Sequence, residues 1–260
     1  MLTNLSIGRY GRFGNMLFQV CAVIGIARKS GQPYGFLPFI NHDHKDRFGS
    51  SEDIELGKYF ANPLPQIAGD YPYFQKKEYP WGYHDIHLPT GNWDISGHFQ
   101  SEKYFKHCIE EVRHYMRMKG EREINFYSNT VAIHVRRGDY DGSYHPLLTA
   151  EYYKNAILQF PMDAQFLLFS DDTDKAMSLI NEIGLLRHIQ IAKGKDYIQE
   201  FEVMKQCGGF ICANSSFSLM AAILSEVPNK KIVCPSNWFG PAWTIPMETK
   251  DLYPENSIVI

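Results

Sequence analysis

No apolar run in this 260-residue sequence reaches the roughly 20 residues of a membrane-spanning helix, so a helical bilayer crossing is not expected. Net positive charge is missing as well. Against 26 lysines and arginines stand 29 aspartates and glutamates, a formal −3, which excludes general affinity for nucleic acid or acidic lipid and makes any anion binding local. Cysteine is scarce and odd in number: Cys21, Cys108, Cys207, Cys212 and Cys234 lie mostly in apolar runs, with no pair at zinc-like spacing to histidines. Free buried thiols in a reducing compartment are the simplest reading. The stretch Met1 to Arg12 lacks the charged-then-apolar layout of a secretion signal, so a cytoplasmic location is expected, with peripheral membrane contact left open. Gly8, Gly11 and Gly14 have the spacing of neither a dinucleotide fingerprint nor a P-loop.

What is present is enough apolar content, 44%, for one large domain or two modest ones. Leu2 to Ile7 reads as a strand, followed by a glycine-rich turn and a helix from Met16 to Ala27 that is apolar on nearly every face. Such a helix must be covered on all sides, and its amino-terminal amides form a cradle for an anion or a sugar. Residues 32–94 are irregular and rich in proline, aromatics and histidine; the aromatics suit either a sugar cleft or packing beneath loops. His42, Asp43, His44 and Asp46 fit a solvated loop better than a metal cluster, because no second ligand group stands at a recognisable spacing. Trp93 to Ser96 reads as a strand, and Tyr104 to Met116 as a one-sided helix. The polar run from Gly120 to Ser128 marks a boundary between domains at 1–125 and 126–260.

Beyond it, strands at Val131–Val135, Gln165–Phe169, His188–Ile191, Phe210–Ala213 and Lys231–Cys234 alternate with helices near 150–160, 173–183, 197–207 and 216–225. Thr149 and Asp196 are expected as N-caps, Gly184 and Gly208 as helix stops. Strict alternation predicts an α/β fold, with this half a doubly wound parallel sheet of Rossmann type. Arg136-Arg137-Gly138-Asp139, Ser170-Asp171-Asp172 and Asn214-Ser215-Ser216 each fall just past the carboxyl end of a predicted strand, the edge where ligands bind in open parallel sheets. Paired arginines suit a phosphate or carboxylate, and Ser215 and Ser216 open a helix whose free amides suit a phosphate. The same residues also fit surface ion pairs and a plain helix cap. Two carboxylates of Asp171-Asp172-Thr173-Asp174 could hold a divalent ion on a diphosphate, but the arginines already supply cationic charge, and Asp174 would lie in the first turn of a helix, where acidic residues are favoured anyway. Recognition of the amino-substituted edge of guanine, without a metal, is therefore favoured.

His134-Val135-Arg136-Arg137-Gly138-Asp139-Tyr140 resembles the signature of the α-1,2-fucosyltransferases, glycosyltransferase family eleven, and of the wider fucosyltransferase superfamily. Gly11-Arg12-Phe13-Gly14-Asn15 is similar to its amino-terminal motif, Gly97 to Phe105 to its central segment, and Phe169-Ser170-Asp171-Asp172 and Asn214 to Ser218 to its donor-site motifs. Leu219 to Ala222 depart from it, standing where the family continues into two tryptophans. The resemblance implies a GT-B-like pair of domains, the first on the acceptor side and the second binding GDP-fucose. It implies inverting transfer of L-fucose to the 2-hydroxyl of a galactose-containing glycan, without cofactor or metal. By position, Arg136 meets the diphosphate with Arg137 in support, His134 and Asp171 or Asp172 contact guanosine, and Asn214, Ser215, Ser216 and Phe217 close on phosphate and base. Asn15 beside Gly14 faces the fucose or acceptor, and Asp139 either acts as base or holds the arginines. The alternatives are another acceptor or GDP-sugar, peptide O-fucosylation included, and an inactive GDP-sugar-binding protein.

Overall fold

A computed structural model describes the chain apart from residues 9–10, 41–53, 68–72, 121–126, 185–186 and 195. The histidines and aspartates of 42–46 lie outside the described residues. The chain divides into two units, Met1–Glu121 and Arg122–Ile260. Among the described residues no helix is long and apolar enough to cross a membrane.

The first unit is organised around helix α1 (Phe13–Lys29), buried without a break from Met16 to Ala27. Its interior polar side chain, Gln19, accepts the Gly8 amide through Oε1 at 3.2 Å. The helix ends at Ser30, and Gly31 then takes φ +63°, a left-handed turn that suits glycine. Strand β1 is shorter than expected, Leu2–Thr3. Two further strands, β2 (Phe39–Ile40) and β3 (Ile54–Glu55), pair antiparallel. Strand β4 (Gln75–Glu78) and β5 (Trp93–Ser96) complete a parallel sheet of order β1-β5-β4. The expected helix over 104–116 is broken: 3-10 turns at Glu102–Tyr104 and Lys106–Cys108 precede α2 (Ile109–Tyr115). Tertiary packing overrides the periodicity there. The Tyr104–Phe105 backbone lies so close to α1 that a Cβ on Gly25 would come within 2.0 Å of the Tyr104 carbonyl oxygen.

The second unit carries β6 (Tyr127–Val135), α3 (Ala150–Ile157), β7 (Gln165–Ser170), α4 (Thr173–Ile183), β8 (Ile189–Ile191), α5 (Tyr197–Lys205), β9 (Cys207–Ile211), α6 (Ser216–Leu224), β10 (Lys231–Cys234) and β11 (Ile258–Val259). All six strands run parallel in the order β11-β10-β9-β6-β7-β8, so the doubly wound α/β expectation holds here. Val131, Ile133 and Val135 face a core with Tyr153, Ile157, Ala176 and Ile180 of α3 and α4. Alternate residues point the other way, and His134 meets Phe217 of α6 while Phe217 meets Phe201 of α5. The chain thus winds outward from β6 in both directions, and the order reverses between β6 and β9. Thr149 and Asp196 cap α3 and α5, and Gly184 ends α4 at φ +66°. Gly208 is a correction: it lies inside β9 rather than ending a helix, for α5 stops at Lys205.

Candidate active site

Strand register builds the site. Val135 of β6 pairs with Ser170 of β7, and Ile133 pairs with Ile211 of β9, so the residues that follow leave the sheet at one level. Arg136 therefore meets Asp171, its Nε 3.0 Å from Oδ2, while Nη2 reaches Oδ1 of Asp139 at 2.5 Å. The guanidinium carbon lies 5.6 Å from the centroid of the Tyr140 ring. Asp171 also accepts the Arg137 amide at 2.8 Å, and a Cβ on Gly138 would stand 2.8 Å from the Asp171 carboxylate. The absence of a side chain at Gly138 leaves room for that approach. On the other side, the Tyr140 hydroxyl donates to the Asn214 carbonyl at 2.8 Å. Of the three clusters, the arginine loop thus touches Asp171 directly and is joined to Asn214 through Tyr140.

Several residues occupy places that their sequence neighbourhood did not foretell. His134 is only 4% exposed and lies beneath the rim rather than on it. The Ser218 hydroxyl donates to the Ser215 carbonyl at 3.3 Å, which leaves its oxygen to accept the His134 Nδ1 proton at 2.9 Å. Burial first, and the nearby Arg136 charge second, hold this imidazole far below its usual range, against a smaller opposing pull from Asp171. Asp172 caps α4, accepting the Lys175 amide at 3.1 Å and the Lys175 ammonium at 2.7 Å. Asn214 is buried, its amide donating to the Pro146 carbonyl at 3.0 Å. Ser215 caps α6 by accepting the Phe217 amide at 3.4 Å; Ser216 opens the helix, and no acidic residue stands in its first turn. That end keeps a positive potential suited to phosphate. Arg137 donates through Nη2 to the Leu148 carbonyl at 2.5 Å, which fixes the loop. In the first unit, Asn15 accepts from Gln100 Nε2 at 2.5 Å, and its amide fills the space that a side chain on Gly11 would need. Gly14 is buried in the first turn of α1.

Asp139 is thus engaged in holding Arg136. The charge of Arg136 is balanced locally by Asp139 and Asp171, so the guanidinium is a group held in place more than an isolated cation. Tyr140 and Ser218 are the contributors that sequence reasoning missed. Their signal was adjacency, one closing the arginine motif and the other one turn into α6. Among the described residues no group of three or more His, Cys, Asp or Glu side chains is placed to hold a metal ion.

The buried His134 makes stability depend on pH. Its folded-state pKa is depressed, so between that value and the unfolded value near 6.5 only the unfolded chain binds the proton, and stability falls as pH falls. Urea unfolding at pH 7 and pH 5 should show a loss of on the order of 1 kcal/mol or more, visibly smaller in His134→Gln, with His98, whose imidazole burial also depresses, supplying the remainder. Equal pH slopes in the two proteins would remove His134 as the source.

The family model described as "Glycosyl transferase family 11" matches residues 7–242. The α-1,2-colitosyltransferase of Escherichia coli is 27% identical over 165 residues, 57% of this chain and 57% of that protein. The O-antigen biosynthesis glycosyltransferase WbnK of Escherichia coli is 29% identical over 122 residues, 44% of this chain and 40% of that protein. The chain therefore spans about half the length of these relatives. Among solved structures, the apo form of POFUT1 has a TM-score of 0.48 at 12% identity over 90% of this chain and 96% of that one. NodZ α-1,6-fucosyltransferase soaked with GDP-fucose has a TM-score of 0.44 at 14% identity over 84% and 92%.

Proposed function

The chain belongs to glycosyl transferase family 11, and on that premise we propose that it is an inverting transferase carrying L-fucose from GDP-fucose to the 2-hydroxyl of a galactoside. The observation that carries this reading is the row formed by Arg136, Asp171 and the Asn214–Ser216 turn at the point where strand order reverses. The diphosphate takes its place between the Arg136 guanidinium and the first turn of α6. As the bond from the sugar C1 to the β-phosphate oxygen breaks, its electron pair stays on GDP, and the fixed guanidinium and helix amides receive the growing charge. The acceptor oxygen bonds to C1 from the opposite face and gives up its proton. Asp139 positions Arg136, so the base is a different group. Guanine readout falls to Phe217 at the rim and, from beneath it, to the ring nitrogen of His134 that faces away from Ser218, with the Asp171 and Asp172 carboxylates alongside. The cationic groups are protein side chains, and transfer is proposed to need no metal.

The test is GDP release from GDP-fucose with a panel of galactose-terminated acceptors, with linkage analysis of the product and a chelator arm. An α-1,2-fucosylated product with turnover unchanged by chelator is expected. Absence of both transfer and slow donor hydrolysis would overturn the reading, and loss of turnover on chelation would return Asp172 and Asp174 to consideration as metal ligands. A second reading, colitosyl transfer, is favoured by the name of the α-1,2-colitosyltransferase relative and is separated by exchanging the donor.

A further inference from the structure

A chain of aromatic rings leads away from Arg136. Tyr140, beneath the guanidinium, stacks on His145 with centroids 4.7 Å apart and planes 15° apart. His145 lies 6.3 Å from Phe239, Phe239 lies 5.7 Å from Trp243, and Trp243 meets Tyr144 edge-on at 5.4 Å. These rings come from two loops, one after β6 and one after β10, that are fastened to each other along their backbones. Gly240 and Ala242 donate to the Tyr144 and Ser143 carbonyls at 2.8 Å and 3.1 Å, and the Trp243 indole donates to the Tyr144 carbonyl at 2.9 Å. A Cβ on Gly240 would come within 2.1 Å of the Ser143 oxygen, so the loops are as close as two backbones can be. The outer end of the chain is nevertheless open: Tyr144 is 40% exposed and neighbouring Ile245 is 62% exposed.

A rigid aromatic surface that starts at the leaving-group arginine and ends in solvent is poorly explained by core packing. Rings held by backbone hydrogen bonds lose little entropy on binding, and their faces match the C–H face of a pyranose while hydroxyls and imidazole reach its edges. We propose that the outer rings, Tyr144 and Trp243, form a stacking subsite for a hexose of the acceptor, so that the second unit binds acceptor as well as donor. This rests on the transfer reading above.

Lactose titrated into GDP-saturated protein and followed by ligand-observed NMR decides the matter. Tyr144→Leu keeps bulk and leaves the carbonyl that binds Trp243 and Gly240, yet it should weaken lactose by about tenfold, as should Trp243→Leu. Trp243→Phe, which keeps a ring but loses the indole bond, should stay within about threefold of wild type. GDP affinity should be the same in all of them. Lactose that fails to bind the GDP-loaded wild type, or that binds Tyr144→Leu as well as wild type, overturns the subsite. A wild type that does not bind GDP sinks the transfer reading instead. Trp243→Leu with weakened GDP binding would signal collapsed loops, and Tyr144→Leu then decides alone.

Discussion

Arg136→Lys should lower the rate of sugar transfer by on the order of a hundredfold while the protein stays folded. The substitution keeps the positive charge, so the size of the loss reports on geometry. In the native site one guanidinium spans two carboxylates, with Nη2 2.5 Å from Asp139 and Nε 3.0 Å from Asp171, both partly buried at 15% and 23% exposure. An ammonium is a point donor and satisfies one of the two at a time. Whichever it leaves becomes an unmatched carboxylate at the place where, in the proposed mechanism, the β-phosphate gathers charge. Two unit charges about 4 Å apart at an effective dielectric of about 20 interact by roughly 4 kcal/mol, enough to reverse most of the benefit of the arginine. Stability should fall by about 1–3 kcal/mol, because the ion pairs are only partly shielded. Single-turnover release of GDP measures the first quantity and urea unfolding the second. Arg137→Lys is the control: its guanidinium bonds a backbone carbonyl at Leu148, a role lysine can fill, and transfer should fall far less. A wild-type rate in Arg136→Lys would mean that charge alone suffices or that the arginine is remote from the leaving group.

The same fork marks what could be read in the chain before its structure. Val131 to Val135 is recognisable as a strand because it is apolar on both faces, and Arg136 follows at its open end. The partnership with Asp171 is not recognisable, since it depends on pairing Val135 with Ser170, a long-range register that local pattern does not encode. The capping role of Asp172 was not legible either, because a carboxylate before a helix serves equally as cap or ligand, and only the structure shows its bond to the Lys175 amide at 3.1 Å. The depth of His134 was hidden in a different way. Its place beside the arginines suggested a side chain on the open rim, whereas strand alternation already implied that it points under α6, where Ser218 receives one ring nitrogen. The first unit was harder for a simpler reason. Its strands are two to four residues long, too short for any periodicity to show, and the 104–116 pattern breaks where α1 presses on the Tyr104 backbone. The last strand, Ile258–Val259, escaped notice for the same want of length, although it closes the sheet against β10.

Gly208→Ala tests the centre of the sheet and should be the most destabilising small change in the second unit. Gly208 follows Cys207 in β9, beside the stretch of β6 where the register shifts between Tyr127 and Val131. A Cβ there would lie 1.7 Å from the Ser128 carbonyl oxygen and 2.8 Å from its carbon. Both are backbone atoms of the neighbouring strand, so no side-chain rotation relieves the clash; the strands must separate, and the β6–β9 pairing is what brings Arg136 level with Asn214. Inserting atoms into well-packed interiors costs about 1–3 kcal/mol, and this case belongs at the top of that range or above it. At about 3 kcal/mol the melting temperature should drop by roughly 6–12 °C, and GDP affinity should fall with it as the two loops lose their common level. Gly184→Ala provides the comparison. Its φ of +66° disfavours alanine but nothing lies within 4 Å of the added carbon, so the cost should be about 1 kcal/mol with GDP binding intact. If Gly208→Ala melts no lower than Gly184→Ala, the two central strands are not in close contact at Ser128, and the alignment of the site must be held by the loops alone.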